Sequence, residues 1–225
     1  MEGTHPMIDL HTHTQFSDGE YNPAEHIRRA QVRGYEVVAL TDHGDASSVD
    51  IIVPSIRKIV DENNRYNEST KALCGIELTH VLPEAIADLV KKARDLGADI
   101  VNVHGETVVE PVTPGTNLAA IDAGVDILCH PGMISEEEVN LAAEKGVWLE
   151  ITSRKGHCYT NGYVYRLAKK CGAGLLFNND AHTQADFASR DLARKILLGC
   201  GMEEGEVEAV FRNSEDVAKK MLKRK

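Results

Sequence analysis

The sequence is poor in cysteine pairs, in long apolar runs and in targeting signals. Its five cysteines are odd in number, widely spaced and without a C-x-x-C pair, which argues against a disulfide framework and is typical of reduced thiols buried as small apolar side chains. No apolar run approaches the ~18 residues of a membrane span, and residues 1–6 lack the basic and apolar regions of a signal peptide. We therefore expect a cytoplasmic protein with no membrane partner.

Positive charge and aromatic side chains are scarce as well. The formal net charge is -10, whereas a protein that holds nucleic acid through its phosphates normally carries a basic face. One Trp, six Tyr and four Phe leave few side chains to stack on bases. These absences disfavour nucleic acid as a partner and favour a small-molecule substrate.

What the chain does contain is an alternation of short apolar runs with longer amphipathic segments, and no linker divides its 225 residues. This alternation predicts a single α/β domain over residues 1–225, with parallel strands joined by helices. Strands are expected at 7–10, 37–40, 72–76, 100–103, 127–129, 147–151 and 175–177. Helices are expected at 22–34, 50–65, 83–96, 135–146, 163–171, 188–198 and 203–210.

The residues after the first strand indicate how the sheet closes. A dinucleotide-binding fold carries a glycine-rich turn there, but this chain has His11-Thr12-His13. That difference favours a barrel over an open doubly wound sheet, with seven strands where a TIM barrel has eight. Residues 105–115 then form a loop over the mouth of the barrel, the face at the carboxyl ends of the strands.

Six of the seven predicted strands lead into side chains that coordinate metals. Because the carboxyl ends of parallel barrel strands meet at one face, these side chains should converge there. Six of the ten histidines take part, and burying so many titratable groups without a metal would be costly. The predicted metal ligands are His11, His13, Asp18, His43, Glu77, His104, His130, Asp180 and His182.

A ligand set of imidazoles and carboxylates without thiolate suits Zn²⁺, Mn²⁺ or Fe²⁺, and nine ligands exceed one tetrahedral site. We therefore expect two or three divalent ions, bridged by Glu77 and Asp180 because a carboxylate can bind a cation with each oxygen. Ions about 3–4 Å apart would generate hydroxide near neutral pH and clamp the attacking and leaving oxygens at phosphorus. The residues that we predict to be catalytic are Asp180, His182 and Arg154.

Further residues are candidates for contacts to the substrate. Arg154 and Lys155 follow the sixth predicted strand, which leads into no ligand, and are placed to neutralise phosphoryl oxygens. His157 could contact the substrate or protonate a leaving group. Arg190, at the start of the last helices, is a further substrate-binding candidate. The residues that could orient a ligand histidine from outside the ligand set are Asp9 and Asp42.

Five segments resemble the motifs of the PHP (polymerase and histidinol phosphatase) family. They are Asp9-Leu10-His11-Thr12-His13, Ser17-Asp18-Gly19, Thr41-Asp42-His43, His130-Pro131 and Asp180-Ala181-His182. The resemblance covers about residues 7–185 and leaves 186–225 as C-terminal helices without a family signature. It implies a distorted (β/α)7 TIM-like barrel, a trinuclear metal site at the nine predicted ligands, and phosphoesterase activity. Some members have histidine at the position of Asp18, which leaves the preferred metal open.

These observations predict a metal-dependent phosphatase that hydrolyses a phosphate monoester of a small metabolite, with histidinol phosphate as the archetypal substrate of the family. Three alternatives stay open. The chain could be a nucleotide or oligonucleotide phosphoesterase such as a 3′–5′ exonuclease, a metal-binding module without activity, or an amidohydrolase-type enzyme, which also uses His-x-His on a barrel. Homo-oligomerisation is open as well.

Overall fold

Strands and helices alternate along the chain in the computed structural model, which describes residues 5–223. The strands are β1 (Met7–Asp9), β2 (Tyr35–Leu40), β3 (His43–Gly44), β4 (Lys71–Leu78), β5 (Ile100–His104), β6 (Ile127–Cys129), β7 (Trp148–Thr152) and β8 (Leu175–Asn178). The helices are α1 (Pro23–Val32), α2 (Val49–Tyr66), α3 (Pro83–Asp95), α4 (Thr116–Asp122), α5 (Glu136–Lys145), α6 (Asn161–Cys171), α7 (Arg190–Gly199) and α8 (Glu204–Leu222), with a 3₁₀ turn at His157–Thr160. The seven predicted strands are confirmed, and the two-residue β3 is additional.

The described strands pair in parallel in the order β1-β2-β4-β5-β6-β7-β8. The ring nearly closes between β1 and β8, where Thr12 pairs with Ala181 and the Leu10 amide donates to Oδ1 of Asn178 over 2.9 Å. A single backbone bridge and a side-chain hydrogen bond replace a full strand ladder at this seam. The predicted barrel is therefore confirmed, in a distorted seven-stranded form.

The last helix closes the end of the barrel opposite the mouth. On α8, Val217, Ala218 and Met221 are buried in one apolar cluster with residues of the barrel interior such as Ile8, Leu10, Ile100 and Ile127. The prediction ended this helix at residue 210, because the polar segment 212–216 interrupts the apolar pattern, whereas α8 continues to Leu222. The added turns plug the barrel and leave the mouth as the end that can hold a polar site.

Helix ends confirm the capping signals of the sequence. Asn22 accepts a hydrogen bond from the Glu25 amide at the start of α1, and Ser135 and Glu138 form the predicted capping box at the start of α5. The short helix α4 was not predicted, because seven residues give too brief an apolar repeat to recognise.

The β5–α4 loop (residues 105–115) contains neither helix nor strand, as predicted, but it is tightly held. Oε1 of Glu106 accepts hydrogen bonds from the amides of Gly115 and Asn117, over 2.9 and 3.0 Å. At Gly132, where φ is +62°, a Cβ atom would lie 1.9 Å from the carbonyl oxygen of Glu106. Only glycine fits at this contact, so the loop packs directly on the segment that follows β6.

The cysteines and the hydropathy of the helices can be examined over residues 5–223. The five cysteines are unpaired; Cys74 and Cys129 are buried and the others half-buried. Within the same range, no helix is both long and apolar enough to cross a membrane.

Candidate metal centre

The nine predicted ligands converge at the mouth of the barrel, and we call them the nine-residue cluster. Seven are buried, His43 is half-buried, and Asp18 is exposed at the rim. His11 and His13 follow β1 with their ring centroids 5.0 Å apart, and the rings of His104 and His130 lie 4.3 Å apart. The convergence expected from parallel strand ends is therefore what the structure shows.

Glu77 lies at the centre of the cluster. The register of β3 with β4 places His43 opposite Glu77, and its Nδ1 is 2.7 Å from Oε2. Oε1 lies 3.2 Å from Nε2 of His11 and 3.6 Å from Nε2 of His130. The two carboxylate oxygens thus face different imidazoles, as a bridging ligand requires.

The two carboxylate oxygens of Asp180 also face different imidazoles. Its Oδ1 lies 3.0 Å from Nε2 of His13 and 3.5 Å from Nδ1 of His182, and its Oδ2 lies 3.8 Å from Nε2 of His130. The outer part of the cluster is completed by Asp18, whose Oδ1 is 3.1 Å from Nε2 of His182 and 3.5 Å from Nε2 of His43.

The donor atoms of the cluster fit metal ions, because many of them are buried without a hydrogen-bond partner. These atoms include Nε2 of His11, Nε2 of His13, Nε2 of His130, Oε1 of Glu77 and Oδ1 of Asp180. Leaving such groups unpaired costs about 1–3 kcal/mol each. Nδ1 of His182 lies 2.9 Å from the Asp180 carbonyl oxygen, which can only accept, so this ring keeps its proton on Nδ1 and offers Nε2 as a ligand.

Burial and the short distances between titratable groups shift the pKa values of several residues of the cluster. Burial raises the pKa of Asp180 to about 6, whereas the imidazoles of His11 and His43 outweigh burial at Glu77 and hold its pKa well below the usual range. Burial and neighbouring histidines lower the pKa of His13 and His130 well below the ordinary value, so both rings are neutral at pH 7 and able to coordinate.

Backbone strain occurs within this cluster, at His130 and Asp180, and outside it at His80. Among residues 5–223, three residues other than glycine have positive φ: His80 (52°), His130 (26°) and Asp180 (53°). Such conformations cost of order 1–3 kcal/mol and occur mostly at functional sites.

A buried carboxylate that the sequence analysis missed orients His11. Oε1 of Glu150, on β7, accepts from Nδ1 of His11 over 2.8 Å and from Nδ2 of Asn178 over 3.0 Å. Oε2 accepts from the His130 amide over 3.0 Å. Glu150 therefore holds the Nε2 of His11 toward Glu77, the orienting function that the sequence predicts for Asp9 or Asp42.

Asp9 and Asp42 instead fix the backbone around the site. Asp9 accepts from the amide of His11 and from Nδ2 of Asn179, and burial raises its pKa to about 7. Asp42 accepts from the amide and hydroxyl of Thr14 and from the hydroxyl of Ser17. Neither is hydrogen-bonded to a ligand imidazole.

Glu150→Gln should weaken metal binding and lower kcat/KM by about 10- to 100-fold, because the amide cannot accept all three hydrogen bonds and His11 loses its fixed orientation. The measurement is the metal dissociation constant together with kcat/KM. The same substitution at exposed Glu36, also on a strand, is the control and should leave both unchanged. Unaltered metal affinity in Glu150→Gln would contradict this positioning role.

The predicted substrate-binding residues separate into two groups. Arg154 lies beside the cluster, with Nε 4.0 Å from Oδ2 of Asp180 and Nη1 3.5 Å from Oδ2 of Asp186. His157 is 7% exposed, and its ring stacks on His130 with a centroid distance of 4.2 Å. Lys155 is exposed and lines a surface cleft with Arg154 and Asp186.

Arg190 contacts residues outside the nine-residue cluster. Its guanidinium donates to the carbonyl oxygen of His5, pairs with Glu208 over 3.3 Å and lies over the ring of Phe211. These contacts tie the start of α7 to α8 and to the beginning of the chain. The prediction that Arg190 binds substrate stays a prediction, and these contacts give the guanidinium a structural function at the packing of α7 on α8.

A parallel barrel whose mouth holds imidazoles and carboxylates defines the class of metal-dependent barrel hydrolases. The model of the PHP domain matches residues 9–224, and the chain belongs to this family. The family and the side-chain cluster together make it a hydrolase of the metal-dependent phosphatase type.

Individual relatives match most of the chain. An uncharacterized protein of Methanocaldococcus jannaschii is 44% identical over 218 residues, which cover 96% of this chain and 99% of the relative. A probable phosphatase of Thermoanaerobacter pseudethanolicus is 28% identical, with 88% of each chain covered.

Two solved structures share the fold. A chain in the structure of an archaeal ribonuclease P with mature tRNA has a TM-score of 0.72 at 18% identity, covering 97% of this chain and 93% of that one. Histidinol phosphate phosphatase from Lactococcus lactis, in complex with zinc, L-histidinol and phosphate, has a TM-score of 0.63 at 16% identity, covering 88% and 95%.

Proposed function

We propose that the chain hydrolyses the phosphate monoester of a small molecule at a centre of two or three divalent cations. The observation that carries this proposal is that Glu77 and Asp180 each turn two oxygens toward different imidazoles, among buried donor atoms without hydrogen-bond partners. Zn²⁺, Mn²⁺ and Fe²⁺ suit this donor set.

Three overlapping groups of ligand atoms, each with its atoms within 4.8 Å of one another, would hold the cations. His104, whose ring is 4.3 Å from that of His130, would extend the first group. The groups are His11–Glu77–His130, then His11–His13–Asp180, and finally His13–Asp18–His43–His182. Because Nδ1 of His11 donates to Glu150, His11 would bind a cation of only one of the first two groups, through Nε2.

Bound cations would activate a water molecule and neutralise phosphoryl oxygens. Arg154 supplies a further positive charge at the edge of the cluster, where its fork of N–H donors suits the oxygens of a phosphate. Asp180 and Asp186 hold the guanidinium there. Beyond Arg154, the cleft lined by Lys155, Leu192 and Ile196 gives room for a leaving group of mixed polar and apolar character.

Arg154→Ala should raise KM about 10- to 100-fold, because a charge-assisted hydrogen bond to phosphate contributes roughly 1.5–3 kcal/mol, while the metal content stays unchanged. Steady-state kinetics and elemental analysis of the same preparation provide the measurement. Arg212→Ala, at an exposed position on α8, is the matched control. Loss of metal in Arg154→Ala would instead show that Arg154 supports the cluster itself.

A phosphate-release screen tests the proposal. The panel contains phosphorylated metabolites, nucleoside monophosphates and single-stranded oligonucleotides, with Zn²⁺, Mn²⁺ or Fe²⁺ added. Histidinol phosphate comes first in the panel, because the Lactococcus lactis neighbour is in complex with L-histidinol and phosphate. We expect release from at least one small monoester.

Other outcomes of the screen separate the alternatives. Cleavage of oligonucleotides alone would replace the proposal by a nuclease function. Full metal occupancy without turnover of any phosphate ester would indicate a metal-binding module, and turnover of amides or lactones alone would indicate amidohydrolase-type chemistry.

A further inference from the structure

Asn179, the residue directly after β8, uses the whole of its side chain inside the fold. It is 1% exposed, and its Nδ2 donates to Oδ2 of Asp9 over 2.7 Å and to the hydroxyl oxygen of Tyr35 over 2.6 Å. Its Oδ1 accepts from the Ala188 amide over 3.1 Å and from the Ser153 hydroxyl over 3.0 Å. A side-chain amide has two N–H donors and two lone pairs, so these four bonds use its full capacity.

The orientation of this amide is fixed by a carbonyl group. The Tyr35 hydroxyl donates to the carbonyl oxygen of Ala188 over 2.9 Å, and a carbonyl oxygen can only accept. The hydroxyl oxygen of Tyr35 is therefore left to accept, and the part of Asn179 that faces it is the NH₂ group. A carboxylate of nearly the same size has acceptor atoms alone and cannot make both donations. The position therefore requires an amide.

These hydrogen bonds close residues 179–188 into a loop that carries part of the metal centre. The two ends of the loop are joined to each other and to Tyr35 on β2. Between the ends lie Asp180 and His182, two members of the nine-residue cluster. The left-handed backbone of Asp180, φ 53°, persists only where the surrounding contacts hold it in place. The bonds at the base of the loop supply such contacts.

The same amide is also connected to the segment that carries Arg154. The Ser153 hydroxyl, which donates to Oδ1 of Asn179, belongs to the residue directly before Arg154. The guanidinium of Arg154 in turn lies beside the Asp180 carboxylate, with Nε 4.0 Å from Oδ2. Asn179 thus precedes the carboxylate in the chain and is one hydrogen bond away from the neighbour of the guanidinium.

We propose that Asn179 is a positioning residue that fixes the carboxylate of Asp180 relative to the guanidinium of Arg154. The inference rests on the proposed function, because it takes Asp180 as a cation ligand and Arg154 as a contact of the substrate phosphate. A displacement of about 1 Å in such a site can cost about 100-fold in rate. The bond to Tyr35 holds the metal side of the arrangement, and the bond to Ser153 holds the phosphate side.

The test separates the two sides with variants that each remove one hydroxyl group. Tyr35→Phe releases the base of the 179–188 loop, and we expect the dissociation constant for Zn²⁺ or Mn²⁺ to rise about two- to tenfold, the effect of a typical hydrogen bond. Ser153→Ala releases the segment before Arg154 and should raise KM, for the best substrate of the phosphate-release screen, by about the same factor, with metal affinity unchanged. Tyr66→Phe, at a side chain that is 72% exposed, is the matched control.

Asn179→Asp removes both donations and should affect both sides. We expect a metal dissociation constant about 10- to 100-fold higher than that of wild type, together with a higher KM. Asn140→Asp, at an exposed position on α5, is the control and should change neither. Thermal unfolding of each metal-free protein checks the fold, and if Asn179→Asp does not fold, the two hydroxyl variants decide.

A residue with a structural function alone would lower the thermal midpoint and leave the metal affinity and KM of the folded chain as in wild type. That result in the folded variants would overturn the proposal. Equal effects of Tyr35→Phe and Ser153→Ala on both quantities would overturn the division into two sides. Because metal affinity is measured without substrate, wild-type protein that binds metal but hydrolyses no phosphate ester would reject the proposed function, and the metal affinities would still decide the positioning function.

Discussion

Asp180→Asn should lower kcat by about 10³-fold or more and reduce metal binding. The amide removes the negative charge that faces His13, His130 and His182, and its nitrogen cannot act as a second bridging oxygen. Cation-based stabilisation of a transition state is worth several kcal/mol, and about 4 kcal/mol corresponds to 10³-fold in rate. The measurement is kcat for phosphate release, with metal content determined on the same sample.

The fold of this variant should be retained, which makes the result interpretable. Asparagine has nearly the same shape as aspartate and accepts the left-handed backbone, φ 53°, at this position. Circular dichroism and the thermal midpoint are the checks. Asp88→Asn, at an exposed position on α3, is the control and should keep wild-type kcat. A normal kcat in Asp180→Asn would reject the proposed centre.

Removal of metal by a chelator should lower the thermal midpoint Tm by about 10 °C. Without cations the buried donor atoms of His11, His13, His130, Glu77 and Asp180 face one another with no partner. A ligand present at about 1,000 times its dissociation constant stabilises the folded state by about 4 kcal/mol. For a domain of about 200 residues, each kcal/mol corresponds to roughly 2–4 °C.

Thermal unfolding with and without chelator measures this effect, and added Zn²⁺ or Mn²⁺ should restore both Tm and activity. The Asp180→Asn variant provides the internal control, because a chain that holds less metal should respond less to the chelator. A Tm that does not change on complete metal removal would show that the cluster tolerates its unpaired groups.

Metal binding should also weaken as pH falls. Burial opposes a charge on His11, but the carboxylates of Glu150, Glu77 and Asp180 raise its pKa well above the ordinary value. In the absence of metal this ring therefore keeps a second proton that a cation has to displace. The number of protons released when metal is added to the apoprotein measures this competition.

Much of the candidate site was predictable because of a property of parallel barrels. Strand ends are visible in a sequence as the points where short apolar runs stop, and all strands of such a barrel end at one face. His104 after β5 and His130 after β6 could therefore be placed side by side without any knowledge of contacts. The position of Arg190 could not be predicted from strand ends, because Arg190 lies at the start of helix α7.

The sequence analysis did not identify Glu150 and Glu110 as residues of the site. The hydrophobic pattern at both positions gives no information about which distant side chains they contact. Glu150 stands within the apolar strand Trp148–Thr152, and its contact with His11 depends on strand register across the barrel. Glu110 lies beside the cluster, in a loop whose path is set by Gly105, Gly132 and Asn117. Long-range packing decides both positions.

The amino-acid sequence by itself determined seven of the strands, most of the helices, the barrel and the residues at its mouth, because alternation and strand ends are local patterns. Only the tertiary structure decided which carboxylate orients His11, how α8 plugs the far end, and that Glu110 approaches three imidazoles. Those features arise from contacts between segments far apart in the chain, whose distances are set by register and packing and not by the residues next to them.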